Sequence, residues 1–133
     1  MKVVFVDDSK IVLQTLKSML RDIIEGGNIE CNFYSDSVNL QKKILNEELD
    51  YDLMFVDINM PMVNGYELVK SAKEIKKYAN KPIIAITSEH SESSKKHGKE
   101  VGFDGWVEKS ISKDSFSHSI LDNIKILGEK HYD

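Results

Sequence analysis

The chain has 133 residues, which suits one domain that buries roughly two-thirds of its unfolded surface. A formal charge of −4 and a single arginine, Arg21, among 18 basic residues argue against a nucleic-acid binder and leave bidentate phosphate forks nearly absent. Cys31 is the one cysteine, so no disulfide or cysteine metal site forms within the chain. With no signal peptide and no apolar run of membrane-spanning length, the expectation is a soluble, cytoplasmic protein without membrane insertion.

Residues 3–6 (Val-Val-Phe-Val) are continuously apolar and end at Asp7-Asp8. Ser9 or Asp8 caps the next helix, in which Leu13, Leu16, Leu20 and Ile24 recur at helical spacing up to about Glu25, where Gly26-Gly27 stops it. Residues 29–34 alternate, with Ile29, Cys31 and Phe33 on one side and Glu30, Asn32 and Tyr34 on the other. That pattern predicts a half-exposed edge strand with Cys31 as a small core residue. Asp36-Ser37 cap a helix carrying Val38, Leu40, Ile44, Leu45 and Leu49. Residues 53–56 (Leu-Met-Phe-Val) are apolar without alternation, as in a strand buried on both faces, and the run stops at Asp57. Pro61 and Asn64-Gly65 supply turn chemistry. A helix from about Gly65 turns Leu68, Val69, Ala72 and Ile75 inward and leaves Lys70, Lys73, Lys76 and Lys77 as a solvated face.

Residues 83–86 form a third apolar run, ending at Thr87-Ser88-Glu89. Residues 91–101 belong to a helix by position, yet they have almost no apolar face and contain Gly98, so this is expected to be the weakest-ordered helix. Residues 105–108 make a short last strand with Trp106, ending at Lys109. Lys113 or Asp114 opens a final helix with Phe116, Ile120, Ile124 and Leu127 on one face, and residues 128–133 read as a short polar tail. No linker or repeat interrupts residues 1–133, which are read as a single domain.

Five strands alternating with five helices imply a parallel sheet covered on both faces. The three apolar strands are central and the two mixed strands are edges. Right-handed crossovers then lead to a flavodoxin-like, three-layer α/β/α sheet in the order 2-1-3-4-5. In that order the carboxyl ends of four strands bring Asp7-Asp8, Asp57, Thr87 and Lys109 to one rim. Singly, Asp8 reads as a helix cap, Thr87 as a strand end and Lys109 as a solvated charge. Together they read as a site. Three crowded carboxylates hold protons or bind a cation, and an all-oxygen ligand set suits magnesium. An aspartate carboxylate is also a competent nucleophile toward phosphorus.

Four motifs, Val-Asp-Asp-Ser at 6–9, Val-Asp-Ile-Asn-Met-Pro at 56–61 with Gly65, Ile-Thr-Ser at 86–88 and Lys109, carry a family likeness. The chain resembles the receiver domains of bacterial two-component response regulators, in particular the stand-alone, chemotaxis-type (CheY-like) members. The resemblance implies that Asp57 is the phosphoacceptor and that Mg2+ is held by Asp7, Asp8, Asp57 and the backbone carbonyl of Asn59. It implies that Thr87 is the switch hydroxyl and that Lys109 contacts the phosphoryl group. Trp106 falls at the position of a switch aromatic that is commonly Tyr or Phe, and the larger indole restricts an inward state; the alternative is a packing residue on an edge strand. Asn59 and Glu89 fall where family members tune dephosphorylation. The family usually has Lys-Pro with a cis bond where Ser110 follows Lys109 here. A cis bond before a non-proline costs about 2.5–4 kcal/mol, so either that cost is met or the loop is reshaped.

The implied function is a signalling module rather than an enzyme. It takes a phosphoryl group from a sensor histidine kinase or phosphotransfer protein and acts on a downstream protein target as a monomer or a phosphorylation-dependent dimer, with no output domain. The implied output surface is the fourth helix, the last strand and the last helix. A degenerate receiver that binds partners without phosphorylation is the alternative. A haloacid-dehalogenase-type hydrolase would need an acid two residues after its nucleophile, where Asn59 stands. A flavodoxin would need a phosphate-cradling loop where Asp7-Asp8 repel phosphate.

Overall fold

The structure, a computed structural model, describes residues 1–88, 91–109 and 113–132. The elements run β1 (Lys2–Val6), α1 (Lys10–Met19), α2 (Arg21–Glu25), β2 (Glu30–Tyr34), α3 (Ser37–Leu45), β3 (Leu53–Asp57), α4 (Gly65–Lys73), β4 (Ile83–Thr87), α5 (Glu92–Val101), β5 (Gly105–Glu108) and α6 (Lys113–Tyr132). The five strands pair in parallel in the order β2-β1-β3-β4-β5, so the fold is the expected flavodoxin-like one.

Successive residues of a strand point to opposite faces, and the core divides accordingly. Val4, Val6, Met54, Val56, Ile83 and Ala85 pack under α3 and α4 with Leu40, Ile44, Leu68 and Val69. Val3, Phe5, Leu53, Phe55, Ile84 and Ile86 pack under α1 and α6 with Leu13, Leu16, Phe116 and Ile120. On that second face Phe5 stacks between Phe33 and Phe55, at centroid distances of 5.2 and 4.9 Å. Its register partners are those same residues on β2 and β3, which locks the switch-point strands in line. Cys31 lies on this apolar side of β2, and burial pushes its thiol pKa up to about 11, the behaviour of an inert packing residue.

Four expectations are corrected. The first predicted helix is two, because Leu20 leaves helical geometry (φ −97°, ψ 3°), and the described residues form six helices rather than five. Hydrogen bonds still run across the break, from Leu20 N–H to Leu16 O (3.0 Å) and from Ile24 N–H to Leu20 O (2.9 Å), so the kink keeps Leu20 buried without ending the crossover. Leu45 stands exposed at the end of α3 while Leu40 and Ile44 on the same helix are buried. The last helix continues through the supposed tail to Tyr132, since one glycine weakens a helix without stopping it.

The fourth correction concerns the lysine run. Lys70 and Lys76 are exposed as expected, but Lys73 is not part of a solvated face. Its ammonium donates to Lys81 O (2.8 Å) and Asp104 Oδ2 (3.0 Å), tying α4 to the turn before β5. Asp104 in turn accepts from the Ile83 N–H (2.9 Å) at the start of β4. The aliphatic stem of a lysine covers apolar surface while its head finds oxygens, here a backbone carbonyl and a carboxylate.

Gly65 opens α4 directly beneath the end of β3. Its N–H donates to Ile58 O (2.9 Å), and a Cβ at this position would stand 2.5 Å from Asp57 O and 2.8 Å from Ile58 Cα. Both neighbours are backbone, so neither yields by rotating. Gly65→Ala is expected to destabilise the fold by about 3 kcal/mol. Urea unfolding measures this, and an unchanged midpoint would contradict the close approach.

Candidate functional site

Where β1 and β3 lie side by side, the crossovers leave toward opposite faces of the sheet and open a crevice at the strands' carboxyl ends. Asp7 follows β1 and is fully buried. Its N–H donates to Tyr34 O (3.0 Å), and its Oδ1 accepts the Ser9 N–H (2.8 Å). Ser9, rather than Asp8, caps α1 by accepting the Val12 N–H (3.3 Å). That leaves Asp8 exposed at the mouth, with a carboxylate uncommitted to the cap.

Asp57 ends β3 and is 4% exposed. Thr87 ends β4 and is fully buried. Lys109 follows β5; its backbone N–H donates to Thr87 O (2.9 Å), joining the ends of the two strands. Its ammonium stands 2.7 Å from Asp7 Oδ2 and 3.2 Å from Asp57 Oδ1. The crowding expected from sequence is thus relieved in part by an internal cation, the Lys109 ammonium.

The compensation is incomplete. Burial, then the neighbouring Asp7 charge, raise the Asp57 pKa from 3.8 to about 6, against the opposing pull of Lys109 and of a hydrogen bond from the Asn59 backbone. Carboxylate oxygens of Asp7, Asp8 and Asp57 all lie within 4.8 Å of one another. Three carboxylates and one ammonium leave two formal negative charges, the complement of one divalent cation. Asp7 Oδ2 is buried and has no aligned hydrogen-bond donor, although the Lys109 charge is adjacent. An all-oxygen donor set, a two-charge deficit and a buried Asp7 oxygen that shares the Lys109 ammonium with Asp57 fit a hard cation such as magnesium.

The structure therefore gathers Asp7, Asp8, Asp57 and Lys109 at one site, with Thr87 buried at the end of the adjoining strand and Asn59 in the β3–α4 loop. Trp106 is half-buried three residues before Lys109, against Phe103 and the α3–α4 side of the core. Glu89 and Ser110 lie outside the described residues, and with Ser110 the peptide that follows Lys109. Sequence reasoning missed the apolar rim. Ile11 is 80% and Met62 is 86% exposed. Ile11, Val12, Thr15, Lys109 and Phe116 line a groove of about 290 Å³. Ile11 lies off the Leu13–Leu16–Leu20 stripe, a signal that was there to be read.

Fold and pocket together define a flavodoxin-like α/β protein with an acidic, cation-ready site at its switch point. The sequence profile of the response regulator receiver domain matches residues 3–121. A chemotaxis protein CheY homolog of Campylobacter jejuni (strain 81-176) is 29% identical over 122 residues, which is 92% of this chain and 91% of that one. The structure of Vibrio cholerae chemotaxis protein CheY4 superposes with a TM-score of 0.78 at 28% identity, covering 95% of this chain and 97% of the other. The receiver domain of the Francisella response regulator 1452, at 24% identity, shares the fold (TM-score 0.79, 98% of each chain). The chain belongs to the response regulator receiver domain family and is CheY-like in sequence and fold. No described helix is long and apolar enough to cross a membrane.

The raised Asp57 pKa has a stability consequence. Between about pH 4 and 6 the folded state holds a proton that the unfolded chain has released, so stability falls as pH rises through this window and stays lower above it. In chelator at pH 8, Asp57→Asn is therefore expected to be more stable than wild type by about 2 kcal/mol. The advantage should shrink as the pH is lowered toward 4. Thermal unfolding across this range checks it, and an advantage independent of pH would contradict the assigned cause.

Proposed function

We propose that the protein is a phosphorylation-activated signalling switch in which Asp57 accepts a phosphoryl group from the phosphohistidine of a sensor histidine kinase or phosphotransfer protein. The observation that carries this reading is the buried Asp57 carboxylate, flanked by the Asp7 carboxylate and the Lys109 ammonium at the end of the central strand. Mg2+ held by Asp7, Asp8, Asp57 and the backbone carbonyl of Asn59 would neutralise phosphoryl oxygens during transfer.

The chain's own residues do the rest. An Asp57 oxygen attacks phosphorus as the bond to the histidine nitrogen breaks, and the imidazole leaves with the electron pair. Lys109 turns from the two carboxylates to a phosphoryl oxygen. The Thr87 hydroxyl donates to another, and the hydrogen bond from Lys109 N–H to Thr87 O carries that adjustment to the end of β5. Water later attacks the aspartyl phosphate, releases inorganic phosphate and resets the switch, with Asn59 and Glu89 tuning that rate.

The output is altered protein binding through α5, β5 and α6, with Trp106 as the aromatic that reports on Thr87. Support for α5 as a moving part is its thin attachment, since Gly98 is its one buried residue. We read the chain as a receiver that acts as a stand-alone unit, in keeping with a chemotaxis homolog of which 91% is covered by the match.

Incubated with Mg2+ and acetyl phosphate, wild type is expected to gain the mass of one phosphoryl group. Asp57→Asn and a magnesium-free sample should gain none. Labelling that persists in Asp57→Asn would move the acceptor elsewhere, and no labelling even with a cognate kinase would favour a phosphorylation-independent binding module.

Thr87→Ala should still take up the phosphoryl group. Under phosphodonor its tryptophan emission should stay constant, whereas that of wild type changes. An equal response in both proteins would remove Thr87 from the readout.

A further inference from the structure

A glycine sits in the interior of α5, at a position where alanine is the better helix former. Gly98 does not occupy the left-handed region, so conformational freedom does not explain it. Its neighbours do. A Cβ at Gly98 would stand 2.8 Å from Trp106 Cζ3, 3.4 Å from Trp106 Cε3 and 3.4 Å from Phe103 Cδ2. The six-membered ring of the indole lies against the helix where a methyl group would be.

The surroundings hold this contact in register. Phe103 meets Trp106 edge-on at 6.4 Å, and Tyr66 meets Phe103 edge-on at 6.2 Å. The Tyr66 ring lies 4.4 Å from His97, and its hydroxyl donates to Ser94 O (3.2 Å). On the outer side Lys95 pairs with Glu108 of β5 at 3.6 Å. Gly98 is the one fully buried residue of α5, and Val101 adds a partly buried apolar contact at the helix end.

We propose that Gly98 is a positioning residue for Trp106: by having no side chain it admits the indole between α5 and β5, and so sets how closely α5 docks on the sheet. The indole, larger than the Tyr or Phe common at this position, faces a helix position that has no side chain. This deepens the proposed switch and rests on it in one respect. Trp106 stands three residues before Lys109, so a shift at the end of β5 would change the indole's contact with Gly98, and α5 would follow.

The test is a double-mutant cycle with Gly98→Ala, Trp106→Val and the double variant, followed by urea unfolding. The emission of the sole tryptophan is recorded in wild type and Gly98→Ala. Gly98→Ala should shift the emission to longer wavelength, increase quenching by acrylamide and raise the unfolding constant tenfold or more. In the Trp106→Val background the same change should be neutral or should lower the unfolding constant, because the ring is gone and alanine favours the helix. An equal effect of Gly98→Ala in both backgrounds, or an unshifted emission, would overturn the proposal. If Gly98→Ala fails to fold, recovery of folded protein in the double variant supports the pairing and failure there overturns it. None of these readouts needs a phosphoryl group. A chain that cannot be phosphorylated at Asp57 leaves the pairing standing, and a phosphorylatable chain with unshifted emission loses the pairing alone.

Discussion

Two aspartates buried side by side at the end of a parallel sheet would repel each other, and the molecule is arranged around that repulsion. Lys109 lies between Asp7 and Asp57 and holds both, yet it supplies one positive charge against three nearby carboxylates when Asp8 is counted. Burial, and then the neighbouring Asp7 charge, keep Asp57 easier to protonate than an ordinary carboxylate. A pocket that satisfied its charges internally would have no affinity for a cation. A pocket without Lys109 would have no mobile charge to hand to an incoming anion.

The rest of the fold holds this arrangement at one rim. Phe5, stacked between Phe33 and Phe55, sets the register of the three strands around the site. Gly65 lets α4 start directly beneath Asp57, and the Ser9 cap frees the Asp8 carboxylate from the helix it precedes. At the opposite end of the sheet, Lys73, Lys77 and Lys81 donate to backbone carbonyls of the loops there. Backbone polar groups in those turns have few strand partners, and long cationic side chains supply the missing donors. The molecule is thus anchored at one end and electrostatically unsatisfied at the other.

Attachment is uneven across the helices too. α1, α4 and α6 bury apolar stripes, whereas α5 meets the core through Gly98, packed on the facing indole, and a partly buried Val101. Low buried area makes an element inexpensive to displace. The polar composition of residues 91–101, which looks like a poor helix in isolation, goes with a helix held lightly on its sheet.

Much of the architecture was legible in the chain because it rests on local pattern. Continuous apolar runs at residues 3–6, 53–56 and 83–86 marked the central strands, and alternation at 29–34 marked an edge. The carboxyl ends of the three apolar runs carry Asp7-Asp8, Asp57 and Thr87, and the end of the short strand at 105–108 carries Lys109. Other features depended on what lay across from a residue. That Lys73 is a clasp and Lys70 is solvated turns on Asp104, distant in sequence, and on the backbone carbonyl of Lys81. The break at Leu20 keeps its helical hydrogen bonds and leaves no mark in periodicity. Gly98 read as a defect until Trp106 was found against it. The sequence by itself determined which strands are central, their order and the chemistry at their ends, because hydrophobic periodicity and residue type are properties of single segments. Only the tertiary structure decided that Lys109 divides its charge between Asp7 and Asp57, and that a missing side chain makes room for the indole, because charge compensation and packing belong to pairs of residues that the chain alone does not bring together.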